Sequence, residues 1–281
     1  MKGSAPVQGL HSTRGILHAR EGLRRFELRR RLPSPAVAGL VSHYWIVCWD
    51  LRGQPPHTQR VLSYPCVNLV FQADRSRVAG VLRTPHPQRL AGAGRVLGVM
   101  FRPGGFRPLL GRSVATITDR FLPLAEVFGV EGDEAAAAVA AAPDDDGMVA
   151  AAEEFLARHV ARIREGDAST LPVAERVAEL VDVVAADPSI LRVDQLATRV
   201  GLGIRALQRL CAEYAGVGPK WVIRRYRLHE AVQRAAEDHD PDWVRLAADL
   251  GYSDQAHLVR DFTAATGQSP TRYARATRLG S

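Results

Sequence analysis

Two short stretches carry side chains of the kinds that read base-pair edges, spaced along one face of a helix. Between Gly203 and Tyr214, Arg205, Gln208 and Arg209 fall three and four residues apart on one side, with Ile204, Leu207 and Leu210 on the apolar side. Between Gly251 and Gly267, Gln255, Ala256, Val259 and Arg260 form a similar stripe, distinct from that of Leu258 and Phe262. An arginine can donate two parallel hydrogen bonds to guanine O6 and N7, and a glutamine can pair with adenine N6 and N7, each worth about 1–3 kcal/mol of discrimination. Ala256 and Val259 offer only methyl contacts, so the second stripe reads less sequence.

The elements that must position these stripes are also legible. Gly251 ends the helical run 241–250, where a residue without Cβ takes a left-handed conformation, and Ser253 is placed to cap the next helix. Helix, short turn with glycine, helix is the helix-turn-helix arrangement. An equivalent unit stands about fifty residues upstream, with Val193 to Val200, the turn Gly201-Leu202-Gly203, and Ile204 to Tyr214. Pro219 to Asp238 lies between them, with proline at a helix's first turn. Its roughly twenty residues at about 1.5 Å rise span about 30 Å, close to the ~34 Å that separates successive major-groove faces. Asp240-Pro241 and Ser269-Pro270 provide N-cap and first-turn pairs for the helices that follow.

The C-terminal stretch resembles the AraC family of bacterial transcription regulators. Gly251-Tyr252, Asp254-Gln255, His257-Leu258, Arg260, Phe262, Gly267, Ser269-Pro270 and Tyr273 stand where that family's pattern puts them, and the upstream unit stands where the pattern requires one. Cys211 departs from it, at a position more often a large aromatic. The resemblance implies base contacts at Arg205 and Arg209, base or phosphate contact at Gln208, and corresponding positions at Gln255, Ala256, Val259 and Arg260. It implies promoter or operator DNA as partner, a homodimer, RNA polymerase as a further partner for an activator, and a small-molecule effector. It also places Trp221 in the core and gives His257 a helix-holding or phosphate-holding role. The segment from Tyr44 to Phe128 resembles the N-terminal domain of one group of AraC-like regulators whose ligand is generally not known.

Composition bounds the remaining classes. The 281 residues suffice for two domains, and 46% apolar with 24% charged residues is a globular balance. No apolar run approaches the ~18 residues of a membrane span and the N-terminus lacks a signal peptide's apolar segment, so a cytoplasmic location is expected. Cys48, Cys66 and Cys211 lie far apart, and His43, His57 and His86 lack metal-ligand clustering, so neither metal nor cofactor is expected. An enzyme fused to the DNA-binding part would need a reactive cysteine cluster, as in alkyl-transfer repair modules, or a nucleophile elbow Gly-x-Ser-x-Gly. The chain has neither, and the expectation is that it is not an enzyme.

Net charge is +7 but uneven: residues 1–112 carry 18 Lys+Arg against 4 Asp+Glu (+14), residues 113–172 carry 4 against 12 (−8), and residues 173–281 carry 15 against 14 (+1). The cluster Arg24, Arg25, Arg29, Arg30 and Arg31 raises two ideas, an anionic effector or an N-terminal domain that itself approaches DNA. Strand-like runs occur at 23–32, 41–51, 59–63, 67–72, 77–82 and 95–101, separated by Pro or Gly, and the pattern turns helical from Asp119. Helix 147–164 buries Met148, Ala152, Phe155 and Val160 either on its own domain or on a partner subunit. The arginines Arg224, Arg225 and Arg227 are read either as phosphate contacts or as a solvated face.

The expected fold is α+β, a small antiparallel β-barrel or sandwich with following helices, then an all-α domain with two helix-turn-helix units joined by a long helix. The expected divisions are a tail at 1–13, a sensor or dimerisation domain at 14–164, a linker at 165–172 and a DNA-binding domain at 173–278. His43, Trp45, Trp49, Tyr64, Phe71 and Phe106 are read either as pocket walls or as core, with Trp45, Trp49, Tyr64 and Phe71 the candidates for ligand contact. A domain that only dimerises or binds a protein partner is the alternative to a sensor.

Overall fold

The computed structural model describes residues 12–73, 75–237 and 241–279, the side chains of 278 and 279 excepted. The expected tail over 1–13 lies outside the described residues as far as residue 11, and so does Asp240. Among the described residues there are eight strands: β1 (Glu27–Arg31), β2 (Val41–Leu51), β3 (His57–Gln59), β4 (Asn68–Phe71), β5 (Arg77–Ala79), β6 (Gln88–Leu90), β7 (Gly92–Phe101) and β8 (Phe121–Pro123). Six form one antiparallel sheet in the order β1-β2-β7-β4-β5-β8, while β3 and β6 pair as a separate ribbon. The α+β architecture is the expected one, but the large sheet is open rather than closed into a barrel. Strands β6 and β8 have three residues each, too few for alternation to show in sequence. The latter sits inside the stretch read as helical from Asp119, and helix begins only at Leu124. Likewise β3 stops at Gln59, and Val61 makes only an isolated bridge to Ile16.

The period of two along each strand divides the sheet's side chains between two surfaces. Tyr44, Ile46, Leu69, Phe71, Leu97 and Val99, each no more than 2% exposed, face the helices. Trp45, Val47, Val70, Val96 and Met100 face the other way, beneath the β3–β6 ribbon and the segment 14–16. Phe71 therefore belongs to the core surface, opposite its neighbour Val70, and Phe106 packs edge-on against Phe101 in the same core. On the opposite surface two indoles lie over glycines of β7: Trp45 is register partner of Gly98 and Trp49 of Gly94. A Cβ on Gly98 would stand 1.9 Å from the Trp45 ring and one on Gly94 2.3 Å from that of Trp49, so glycine is what permits both rings to lie flat.

The helices are α1 (Ala19–Gly22), α2 (Arg107–Leu110), α3 (Leu124–Phe128), α4 (Val130–Ala141), α5 (Asp145–Glu165), α6 (Thr170–Ala186), α7 (Val193–Arg199), α8 (Ile204–Leu210), α9 (Pro219–Glu237), α10 (Trp243–Asp249), α11 (Gln255–Thr266) and α12 (Pro270–Leu279). Helix α5 starts at an Asp144 cap and buries Met148, Ala152, Phe155, Leu156 and Val160 against its own chain, with Phe155 edge-on to Phe128 of α3. Its apolar stripe is thus covered without a partner subunit. An exposed break at residues 166–169 separates α5 from α6.

The helical C-terminal part does not stand apart from the sheet. One core runs from the sheet through α5 and α6 into α7, α8 and the first half of α9. A second joins Leu17 and Leu62 of the N-terminal half to Leu228 of α9, Leu258 and Phe262 of α11, and Tyr273 of α12. Polar contacts cross as well: Arg107 Nε to Glu213 at 2.7 Å, Thr118 Oγ1 to the Gly216 carbonyl at 2.7 Å, and Arg60 to the Thr266 carbonyl at 3.1 Å.

Helix α9 lies against both cores, and its expected phosphate-binding arginines are largely inside. Arg225, 6% exposed, donates to the Arg83 carbonyl and lies 4.5 Å above the Trp221 ring; burial lowers it to about 10, still charged at neutral pH. Arg227, 3% exposed, donates to the carbonyls of Val184 and Asp187. These are neither solvated nor available to phosphate, because backbone carbonyls around α9 need buried donors. Arg224 is exposed and pairs with Asp261 of α11. His229 is buried, stacked on Tyr64 with ring centroids 3.9 Å apart and planes 13° apart, and burial pushes it down to about 3.

That depression has a sign. Below the unfolded value of about 6.5 the unfolded chain binds a proton that folded His229 refuses until about pH 3, so stability falls as pH is lowered through this window, by about 1.4 kcal/mol per unit. We expect His229→Gln to flatten the acid side of the stability–pH curve, by about 2 kcal/mol between pH 7 and 5 in urea denaturation. Identical pH slopes in both proteins would show that His229 does not titrate on unfolding.

Candidate DNA interface and effector cavity

In the first unit α7 and α8 are joined by a turn in which Gly201 takes a φ of 65°, and in the second α10 and α11 are joined by a turn in which Gly251 takes 73°. Leu207, Leu258 and Phe262 are fully buried and fix the roll of α8 and α11 about their axes. The opposite faces are open: Arg205, Gln208, Arg209, Gln255, Ala256 and Arg260 are exposed, and Val259 is half-buried. No hydrogen bond or ion pair to a described residue engages the side chains of Arg205, Gln208, Arg209, Gln255 or Arg260. Five polar side chains on two faces are therefore available to an external partner, while most other arginines of the chain are engaged internally.

Local chemistry positions α11 differently from the sequence reading. The cap is Asp254, which accepts from the His257 backbone at 2.7 Å, and Ser253 supports it by donating to the carboxylate at 3.0 Å. These bonds hold the Asp254 carboxyl below its usual range. His257 sits 3.3 Å from Ser253 Oγ and 3.9 Å from Asp261 on its own helix, and Arg224 of α9 pairs with the same carboxylate, so Asp261 ties α11 to α9. After α8 the chain makes a π-turn, Cys211–Ala215, with Cys211 buried. The turn presents Glu213 and Tyr214 to the N-terminal half, where Arg107 meets both.

The second candidate site is a cavity of about 440 Å³ on the sheet's other surface, a volume typical of small-molecule sites. Strand register makes its floor a grid. One row runs Arg30 (β1), Trp45 (β2), Gly98 (β7), Val70 (β4), Arg77 (β5). The next runs Leu28, Val47, Val96, and on the other side lie His43, Met100, Asn68 and Ala79. Trp45 Nε1 donates to Asn68 Oδ1 at 3.1 Å and Trp49 Nε1 to the Ala91 carbonyl at 3.1 Å, which locks both indoles. The roof comprises residues 14–16, 61–64 and the β3–β6 ribbon. His43 is buried and lowered to about 4, so it is neutral near pH 7.

Of the four candidate ligand contacts, Trp45, Trp49 and Tyr64 line this cavity and Phe71 does not, being on the core surface. The N-terminal arginine cluster is dispersed: Arg29 pairs with Asp145, Arg31 with Asp146, and Arg25 with Gln54. Arg30 alone of the cluster faces the cavity. The sequence reading missed Arg77, Arg75 and Arg89, which line it from β5, the β4–β5 turn and β6. Their signal was parity, since Arg77 and Val70 share a row, but the row exists only once pairing is known.

Residues 196–276 match the family described as a helix-turn-helix domain, and residues 29–123 match a domain of unknown function, DUF6597. The chain thus carries a helix-turn-helix domain at its C-terminal end, preceded by an N-terminal domain of a separate family. The helix-turn-helix domain is of the AraC type. No curated protein matches the chain. Among solved structures it is similar to ToxT of Vibrio cholerae: an apo form at 11% identity and a TM-score of 0.36, covering 83% of this chain and 97% of that one, and a 1.65 Å structure at 9% and 0.35, covering 89% and 98%. Wild-type ToxT with a bound unsaturated fatty acid is similar at 12% and 0.32, covering 74% and 83%. The assignment rests on the sequence families and on the two turns described above.

The division of α11 into buried and open faces is open to direct measurement. Leu258→Ala is expected to cost about 2–5 kcal/mol in urea denaturation, and Ala256→Ser to stay within about 0.5 kcal/mol. Comparable losses from both would contradict this division.

Proposed function

We propose that the protein is an effector-responsive transcription regulator that reads two adjacent major grooves with α8 and α11. The observation that carries the reading is the pair of open stripes, Arg205, Gln208, Arg209 and Gln255, Ala256, Arg260 with half-buried Val259, whose polar side chains have no described internal partner and which are joined by one continuous helix. At 19 residues α9 is about 28 Å long, which suits recognition helices about one turn of DNA apart. Arg205, Gln208 and Arg209 supply the more informative half, and Val259 and Ala256 favour thymine methyl groups in the other. His257 and Arg224 act on the orientation of α11 rather than on bases.

The N-terminal domain is the sensor in this reading. A filled interior would have favoured a domain that only dimerises or binds a protein, and the cavity above the sheet favours a ligand instead. Its roof is also a contact surface of α9: Tyr64 stacks on His229, Ser63 lies 3.4 Å from the His229 Nε2, and Arg14 pairs with Glu230 at 3.7 Å. A ligand that displaces residues 61–64 biases the seating of α9, and with it the relation of the two reading helices. Dimerisation and contact with RNA polymerase belong to the same proposal as its expected consequences at a promoter.

The test is selection of genomic fragments by the purified protein, followed by binding of the best site by wild type, Arg209→Ala and Arg260→Ala. Each variant is expected to lose about 1–3 kcal/mol and to relax preference in one half-element only, the two elements lying about one helical turn apart. A uniform loss with a shallower salt dependence and unchanged preference would mean phosphate contact instead. Failure to select any sequence, with and without cell extract as a source of effector, would end the regulator reading.

A further inference from the structure

The cavity's chemistry goes beyond its existence. Five arginines line it, Arg14, Arg30, Arg75, Arg77 and Arg89, and no Asp or Glu occurs among the described lining residues. Arg14 has its carboxylate in Glu230, outside on α9. Arg30 and Arg77 are half-buried, and neither forms an ion pair with a described residue. Arg30 donates only to backbone carbonyl oxygen, that of Ser12, and Arg77 lies over the Phe121 ring at 4.7 Å. The Nε of each is buried and without a hydrogen-bond partner. Desolvation draws both below the usual guanidinium range. A half-buried cation is costly unless paired, and the described residues around the cavity supply no anion to two of them.

The floor between these arginines is apolar and flat. Arg30 and Arg77 close the two ends of a single register row, and between them lie the Trp45 indole, spread over Gly98, and Val70. The ends are four strand spacings apart, roughly 19 Å between Cα atoms for a sheet of ordinary geometry. A planar ring system laid along this row stacks on the indole face and puts an acid group at a guanidinium, whose planar fork matches a carboxylate.

We propose that the cavity binds a flat aromatic carboxylate, with its rings on Trp45 and its acid group on Arg30 or Arg77. This rests on the reading of the chain as an effector-responsive regulator and names the effector's class. In the neighbouring row, the Asn68 side-chain oxygen accepts from the Trp45 ring nitrogen and so orients the indole.

The test is isothermal calorimetry on the full chain without DNA, using 2-naphthoate, 2,6-naphthalenedicarboxylate, the neutral 2-naphthamide and the straight-chain acid decanoate. The carboxylated naphthalenes are expected to bind at least about tenfold more tightly than the amide or decanoate, with the dicarboxylate tightest because it engages both ends of the row. For the dicarboxylate, Arg77→Gln and Arg30→Gln, checked for a retained melting transition, each weaken binding by about tenfold, and Arg77→Lys, which keeps the cation without the fork, falls between. Absence of binding by either naphthalene acid up to millimolar concentration, equal affinity for the amide, equal affinity for decanoate, or indifference to both Gln variants would each overturn the proposal. Operator binding measured on the same samples separates the two readings. A selected DNA site with no ligand binding removes the ligand class and leaves the regulator. Ligand binding that leaves operator occupancy unchanged upholds the ligand class and removes the effector response.

Discussion

Helix α9 must satisfy three buried polar side chains at once, and that requirement ties the molecule together. Arg225 takes a carbonyl from the loop after β5, Arg227 takes carbonyls from the end of α6, and His229 rests on Tyr64 beside the Ser63 carbonyl. None of these partners is on α9 itself. Each guanidinium left without its carbonyl would be a buried unpaired charge, whose cost is several times that of a lost surface ion pair. The helix is therefore seated by polar contacts with fixed directions, while Val222, Ile223, Leu228 and Val232 supply the less directional apolar part. The two helix-turn-helix units hang from opposite halves of this helix, so their relation inherits its seating.

The same logic explains a charge distribution that looks at first like a signpost to nucleic acid. The excess of arginine in the first 112 residues meets the acidic stretch that follows: Arg29 and Arg31 on β1 reach the first turn of α5 at Asp145 and Asp146, and Arg95 donates to the carbonyls that end α4. Helix-end polarity adds to both, with carboxylates at the N-terminus of α5 and a guanidinium at the C-terminus of α4. Much of the apparent basicity is thus consumed inside the fold. Among the arginines that no described carboxylate takes up are Arg205 and Arg209 on α8, Arg260 on α11, and Arg30 and Arg77 at the cavity.

The open polar faces of α8 and α11 were legible in the sequence because they depend on local rules: glycine at a left-handed turn, an i, i+3, i+4 apolar stripe, and polar residues on the complementary side. The unit boundaries were legible for the same reason. What escaped depended on partners distant in sequence. Burial of Arg225 and Arg227 is set by carbonyls about 140 and 40 residues away. Phe71 was grouped with Trp45 and Trp49 on residue type alone, whereas its surface is fixed by strand parity. Ser253 and Asp254 are both good caps, and it is the Asp254 carboxylate that takes the His257 backbone N–H. The open sheet was missed because its outer strand β8 arrives after a 3-10 turn, Val114–Ile117, inside a segment of helical composition.

The flat seating of Trp45 over Gly98 places the depth of the cavity under the control of a residue that never faces a ligand. The indole is the floor, and its height is set by what stands beneath it on β7. A side chain at Gly98 would raise the ring into the cavity, whereas shortening Trp45 would deepen it, in both cases without touching a guanidinium. Size selection and charge selection therefore reside at separable positions, on neighbouring strands. On the proposed function, a lineage of such proteins can retune which ring system fits while keeping the two arginines of the row, and so change the molecule it answers to without rebuilding the helices that answer.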